Sequence, residues 1–357
     1  MSDSRSRPTV RLTDRGEVAA ALPHLIGFRP RESLVLVSMR GTGPATLGLT
    51  VRIDLPPAEH RAAVVEEAVR ALCTDRPKAA LLVVVSEDAD DWSPPLPPGP
   101  AVPDLPHRGL VGEALAALHA ERLPVHHALL VRGGRWWDYD CAQACCAPGA
   151  GTPLPGGTSR LAVAAALDGR VVEDDREAFA RRIAPVGFLA AAGMAQACEE
   201  VGDLLAHRTA QLGWDAVVEE GWAAVLAAVA ASRPGSVERL SDRAVARLAW
   251  GLRDHDLRDR ALALTVGRQA AAAEVVWTEL VRRAPAPLDA APATLLAVTA
   301  WVGGNGALAN VALQRALDSE PSYTLAGLLR TALHAGMPPK AVRRLMQDAG
   351  APGRVRR

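Results

Sequence analysis

The sequence SLVLVSMRGTGPATLGLTVRIDL, residues 33–55, decides the fold of this chain. Residues 33–39 are apolar on both faces, which is typical of a strand that is covered on both sides. In residues 46–55, Leu47, Leu49 and Val51 begin an alternation of apolar with small or polar residues, as in a strand with one buried face. The Gly/Pro-rich segment 40–45 lies between the two strands, so the stretch predicts a β-hairpin.

Helical and strand patterns alternate on the C-terminal side of this hairpin. Apolar residues recur at helical spacing over 59–73 and 109–123, and strand patterns cover 79–86, 125–131 and 135–140. Gly133 and Gly134 supply a two-residue turn between the last two strands, which predicts a second hairpin. Strands interleaved with helices predict an α/β domain, a mixed sheet with flanking helices, over residues 1–146.

The pattern becomes entirely helical in the second half of the chain. Residues 147–160 (APGAGTPLPGGTSR) predict a Pro/Gly linker. Residues 161–357 predict an all-helical domain, either a bundle or a short solenoid. At about 290–323, the turn 303–306 separates two apolar stripes and gives a tetratricopeptide-like hairpin, although generic helix packing also accounts for the pattern. Trp301 lies on the first stripe, so we expect it to be buried.

The composition argues against several classes of protein. The chain has 357 residues, of which 49% are hydrophobic and 22% charged, which is enough for two globular domains. Its 40 basic and 40 acidic side chains balance, whereas nucleic-acid binders usually carry a basic excess. Neither an apolar run long enough to span a bilayer nor the apolar core of a signal peptide is present. We therefore expect a cytoplasmic protein with no nucleic-acid or membrane partner.

Several landmarks resemble one known family. They are PHLIGFRPRESLVLV (23–37), VRIDLP (51–56), CCAP (145–148), GTP (151–153), AWVGGNG (300–306) and PSY (321–323). In this order they resemble the actinobacterial domain-of-unknown-function family forty-one ninety-two. The sequence departs from the family pattern at Ala147, which separates the cysteine pair from Pro148. The resemblance implies the fold and a bacterial cytoplasm, and it implies no catalytic residue.

Cys141, Cys145 and Cys146 form the most evident candidate metal site. Structural zinc sites use four ligands, usually as two spaced pairs, and only His126 or His127 is a candidate for the fourth ligand here. Adjacent cysteines in a strand point to opposite faces, so at most two of the three thiols are expected to converge. We therefore expect no metal and no cofactor. Buried thiols are the preferred interpretation, and a metal or redox role is the alternative.

A polar group at the open end of the first hairpin is the candidate binding site. If the turn occupies residues 40–45, Met39 pairs with Thr46, and counting outward places Ser33 opposite Arg52 and Arg31 opposite Asp54. The candidate residues are Arg29, Arg31, Glu32, Ser33, Arg52 and Asp54. A guanidinium fork and a hydroxyl at a sheet end suit an anionic ligand. Alternatively, the charges only tie the two strands together.

Two functions of different class remain open. The sequence contains no Gly-x4-Gly-Lys-Ser/Thr, His-Glu-x2-His or Gly-x-Ser-x-Gly motif. The first hypothesis is therefore a non-enzymatic binding or scaffold protein that uses its helical domain for protein partners. The alternative is an enzyme that acts on a small anionic, for example phosphorylated, substrate at the open end of the first hairpin.

Overall fold

The protein consists of two compact units, Met1–Arg176 and Glu177–Arg357. A computed structural model describes residues 14–41, 46–87, 105–156, 172–235 and 239–349. The first unit contains a mixed β-sheet with helices, and the described part of the second unit contains helices. The predicted fold class is therefore confirmed.

The elements of the first unit alternate much as the sequence patterns predict. They are α1 (Arg15–Ile26), β1 (Ser33–Arg40), β2 (Thr46–Asp54), α2 (Arg61–Cys73), β3 (Ala79–Val85), α3 (Arg108–Ala120), β4 (Val125–Arg132), β5 (Arg135–Asp138) and β6 (Thr152–Pro153), with short 3-10 helices at Ala58–His60 and Ala144–Cys146.

The six strands of these described residues form one sheet in the order β2–β1–β3–β4–β5–β6. β3 and β4 are parallel, because α3 lies between them and carries the chain back to the starting end of the sheet. The other neighbouring pairs are antiparallel. Gly133 and Gly134, with φ angles of 54° and 70°, form the predicted two-residue turn between β4 and β5.

Both faces of β1 are covered, as its apolar sequence predicts. On one face, Leu34 and Leu36 pack in a cluster with side chains of α2 and α3, including Leu72 and Leu118. The opposite face of the strand is buried as well, and α1 packs against β2 and β4. A central strand with two buried faces needs a continuous apolar run, which explains residues 34–37.

The register of the first hairpin differs from the predicted one by two residues. Arg40, and not Met39, pairs with Thr46, and a β-bulge between Val37 and Met39 adds a second shift of one residue. Ser33 therefore lies opposite Asp54. The carboxylate of Asp75 fills the bulge, where it accepts hydrogen bonds from Ser38 Oγ and from the Leu49 N–H.

Residues 147–156, which the sequence suggests as the beginning of a linker, attach to the sheet. Thr152 and Pro153 pair with β5, and the Leu154 N–H donates to the Gly134 carbonyl at 2.9 Å. A proline is compatible with this position because β6 is an edge strand. Residues 157–160 of the predicted linker lie outside the described residues.

The described residues of the second unit, together with Arg176, form helices. They are α4 (Arg176–Arg181), α5 (Phe188–Leu212), α6 (Trp214–Ala231), α7 (Asp242–Gly251), α8 (His255–Val266), α9 (Ala270–Arg283), α10 (Ala290–Val302), α11 (Gly306–Ser319), α12 (Thr324–His334) and α13 (Pro339–Ala349).

Helix α10 is the core of this unit, because every one of its residues is buried. α8, α9, α11 and α13 pack around it. The turn to α11 contains Gly304 at a φ of 86°, and the side chain of Asn305 accepts a hydrogen bond from the Leu308 N–H at 2.9 Å. A helical hairpin thus lies where the sequence predicts one, and its tetratricopeptide character stays a prediction.

None of the described helices is both long and apolar enough to cross a membrane.

Candidate functional site

The open end of the first hairpin brings together Ser33, Arg52 and Asp54. Arg52 Nε donates to Ser33 Oγ at 2.8 Å, and Arg52 Nη2 lies 2.6 Å from Asp54 Oδ1 and 3.3 Å from the Arg31 carbonyl. The two-residue change in register leaves these side chains on one face, because faces repeat every two residues along a strand. The predicted grouping of these three residues is therefore observed, with Asp54 paired to Arg52.

The Arg52 guanidinium has little capacity left for a ligand. Its side chain is 17% exposed, and its Cζ lies 5.8 Å from the centre of the Phe28 ring, which is within cation–π range. Ser33 is fully buried, and its hydroxyl donates to the Arg31 carbonyl at 2.5 Å while it accepts from Arg52. This geometry matches a cross-strand tie between β1 and β2.

Glu32 links the hairpin to the end of β3. Its Oε2 accepts from Ser86 Oγ at 2.8 Å, and its Oε1 accepts from the Glu87 N–H at 2.6 Å. The backbone carbonyl of Glu32 accepts from the Leu55 N–H at 2.9 Å. Glu32 has a φ of 37°, a conformation that costs energy for a residue with a side chain. Its carboxylate is thus directed toward the β3 end, away from the Arg52 group.

The remaining two predicted residues, Arg29 and Arg31, are exposed. Arg29 Nε lies 3.6 Å from Asp174 Oδ1, and both side chains are open to solvent, so this ion pair contributes little stability. The backbone N–H of Arg29 donates to the Glu173 carbonyl at 3.0 Å. Arg31 contributes its carbonyl to the Arg52 group, and its own side chain points into solvent.

The three cysteines of the candidate metal site converge. Cys141 Sγ and Cys145 Sγ are 3.9 Å apart, Cys145 Sγ and Cys146 Sγ are 4.0 Å apart, and all three sulfur atoms lie within 4.8 Å of one another. The expectation that at most two converge is wrong, because Ala144–Cys146 form a 3-10 turn and not a strand. A 3-10 turn advances about 120° per residue, so neighbouring side chains do not point to opposite faces as they do in a strand.

The thiols of this cluster differ in their acidity. Burial raises the pKa of Cys146 to about 12. A hydrogen bond from the Gln143 backbone lowers the pKa of Cys141. The Asp138 N–H donates to Cys146 Sγ at 3.3 Å, which supplies electrostatic support for negative charge on that sulfur.

A buried carboxylate beside the cysteines was not predicted from the sequence. Asp138 ends β5, and its Oδ2 lies 3.0 Å from Arg15 Nη1 and 3.8 Å from His127 Nδ1. Burial is the main cause that lowers the pKa of His127, followed by the positive charge of Arg15. His127 thus belongs to the Asp138 group, and among the described residues neither His126 nor His127 joins the cysteine cluster. A single aspartate in a short strand carries no sequence signal for such a contact.

Exposed apolar side chains are concentrated in the second unit. Among the described residues, the large apolar side chains that are most open to solvent are Phe188, Leu189, Leu204, Leu212, Trp214, Leu226, Leu328 and Leu345. The first six are distributed along α5 and α6, from Phe188 at the start of α5 to Leu226 on α6, and we refer to these six together as the α5–α6 surface.

Comparison with known proteins identifies the family. Residues 16–340 match the model of a family described as Domain of unknown function (DUF4192). The chain belongs to this family. The DUF4192 match extends across both units, so the sheet, the hairpin site, the cysteine cluster and the α5–α6 surface all lie within it.

Membership in DUF4192 confirms the suspected resemblance. The family description assigns no reaction and no ligand, so no residue role is transferred from it. Neither the curated proteins nor the solved structures provide a significant match to this chain.

Proposed function

We propose that this protein is a non-enzymatic binding or scaffold protein that binds a protein partner through its helical unit. The observation that carries this proposal is the α5–α6 surface. Exposed apolar groups that lie side by side mark interaction sites, because their removal from water is favourable, and Phe188 and Leu189 are consecutive exposed residues of this surface. The same types of side chain are buried in the central strands of the first unit, for example Leu34, Leu36 and Leu82.

The start of α5 is the most exposed part of this surface. Phe188 and Leu189 are each 85% exposed. Helix α5 contains 25 residues, and its buried residues, Met194, Cys198 and Val201, occupy only its middle turns. Full burial of one Phe or Leu side chain contributes about 1.5–3 kcal/mol. A partner that covers both side chains would therefore gain a substantial part of its binding energy here.

The alternative, an enzyme acting at the hairpin end, has less support from the geometry. An anionic substrate at Arg52 would compete with Ser33, Asp54 and the Arg31 carbonyl.

For the location of the protein, we propose the cytoplasm, since all five cysteines are unpaired thiols, as in a reducing compartment.

The test compares two charge variants in cells of the native host. Phe188→Asp combined with Leu189→Asp places two carboxylates on the α5–α6 surface. Leu328→Asp is the matched control, since Leu328 is 65% exposed on α12, outside that surface. Proteins cross-linked to each variant are quantified by mass spectrometry. We expect the double variant to lose specific partners at least about tenfold, because a carboxylate cannot be buried unpaired in an apolar contact.

Melting temperatures are the accompanying control. Both sets of substitutions fall on exposed positions, so both variants should melt close to the wild type. If the double variant keeps the partners of the wild type, or if the control variant loses them equally, the proposal is wrong.

A further inference from the structure

The three-cysteine cluster has the dimensions of a metal site. Thiolates bind zinc with bonds of about 2.3 Å, so sulfur atoms 3.9 and 4.0 Å apart subtend angles of roughly 115–120° at a shared ion. Such angles lie between tetrahedral and trigonal geometry. The remaining pair, Cys141 and Cys146, is no more than 4.8 Å apart, close to the maximum of about 4.6 Å that two such bonds can span.

The position of the cluster in the fold also suits a metal ion. Cys146 is buried at the end of β5, Cys141 is half-buried and Cys145 is exposed. The cluster therefore has one buried thiol and one thiol that is open to solvent. The Asp138 N–H donates to Cys146 Sγ. Hydrogen bonds of this outer-shell type orient ligand atoms and stabilise their charge.

We propose that Cys141, Cys145 and Cys146 together bind one thiophilic metal ion, Zn²⁺ or Cu⁺, through three thiolates. Soft thiolate ligands select these two ions over hard cations such as Mg²⁺ and Ca²⁺. Within the described residues, no histidine, aspartate or glutamate atom completes the group. The fourth position of a zinc ion is therefore left to water or to a small exogenous thiol, as in sites that exchange a ligand.

The experiment measures binding of each ion by the full chain. Metal-free protein in a thiol-free reductant is titrated with Zn²⁺ against a chromophoric chelator, and separately with Cu⁺ against a Cu⁺-specific chelator. Co²⁺ replaces zinc in a third titration, since its thiolate charge-transfer absorption reports sulfur ligands directly. We expect one ion per chain in the Zn²⁺ arm, the Cu⁺ arm or both, and the stronger arm identifies the preferred ion.

Serine substitutions test the ligands. Cys145→Ser should weaken binding about 100-fold or more, because loss of a ligand exceeds the 10–100-fold effect of an outer-shell change. Cys145 is exposed, so the substitution should leave the melting temperature of the metal-free protein unchanged. Cys73→Ser, at a half-buried cysteine outside the cluster, is the matched control and should bind as the wild type does.

Two results would overturn the proposal. One is the absence of binding for both ions at micromolar concentration, with all five thiols reactive toward a thiol reagent in the unfolded protein. The other is stoichiometric binding that Cys145→Ser and Cys141→Ser leave unchanged, since the ion would then be held elsewhere.

Discussion

Arg52 shows how a single side chain can hold one end of the sheet. It connects β2 to Ser33 at the start of β1, to the Arg31 carbonyl just before β1, and to Asp54 on its own strand. Hydrogen bonds to a charged group that is mostly shielded from water are worth more than exposed ones. At the residue scale, the hairpin end is therefore a structural tie.

A pair of alanine variants tests this role of Arg52. Arg52→Ala should lower the free energy of unfolding by about 1.5–3 kcal/mol, the usual contribution of hydrogen bonds to a charged group. Asp54→Ala should cost less than about 1 kcal/mol, because the Asp54 side chain is 74% exposed. Chemical denaturation measures both. Equal stability of Arg52→Ala and the wild type would contradict the tie and favour a ligand site.

The sequence predicted correctly that Ser33, Arg52 and Asp54 lie on one face of the hairpin. It predicted the wrong cross-strand partners, since Ser33 lies opposite Asp54 and not Arg52. Alternation along β2 placed Arg52 and Asp54 together, because the two one-residue shifts, at the turn and at the bulge, restore the same face. Asp75, a residue distant in sequence, accepts hydrogen bonds from both strands at the bulge, and no local pattern predicts this contact. Strand geometry does not describe the cysteines, because Ala144–Cys146 form a 3-10 turn.

At the scale of elements, α10 and the central strands have the most continuous apolar sequences. Helix α10 is apolar all round because it is enclosed by its neighbours, and β1 is apolar because both faces are covered. Such segments are predicted well, since burial alone selects their residues. β6, two residues within a Gly/Pro-rich segment, is defined only by its pairing with β5 and was not predicted.

Two tryptophans distinguish core helices from surface helices. Trp301 on α10 is buried, as predicted, whereas Trp214 at the start of α6 is 53% exposed. Trp301→Ala should reduce the free energy of unfolding by about 3–5 kcal/mol through the cavity it leaves. Trp214→Ala should reduce the free energy of unfolding by less than about 1 kcal/mol. Thermal and chemical denaturation of the two variants give the comparison, and equal losses would contradict the assignment of α10 as the core.

At the scale of the whole molecule, the two units differ in what they expose. In the described residues of the sheet unit, no large apolar side chain is exposed, the end of the first hairpin is tied and three thiols come together, whereas the helical unit leaves the α5–α6 surface in solvent. The sequence predicted the fold class, a mixed sheet with helices followed by helices alone, and the family. It did not predict the α5–α6 surface, because exposure of Phe188 and Leu189 depends on which turns of α5 are packed and not on composition.

The central claim is that a protein partner contacts the helical unit and not the hairpin end. Site-specific photo-crosslinking in cells of the native host tests it most directly. A benzophenone amino acid replaces Phe188 in one strain and Arg31, an exposed residue of the hairpin end, in another. After irradiation, position 188 should yield discrete cross-linked proteins and position 31 should yield none. Cross-links from position 31 alone would contradict the account and transfer the binding site to the hairpin.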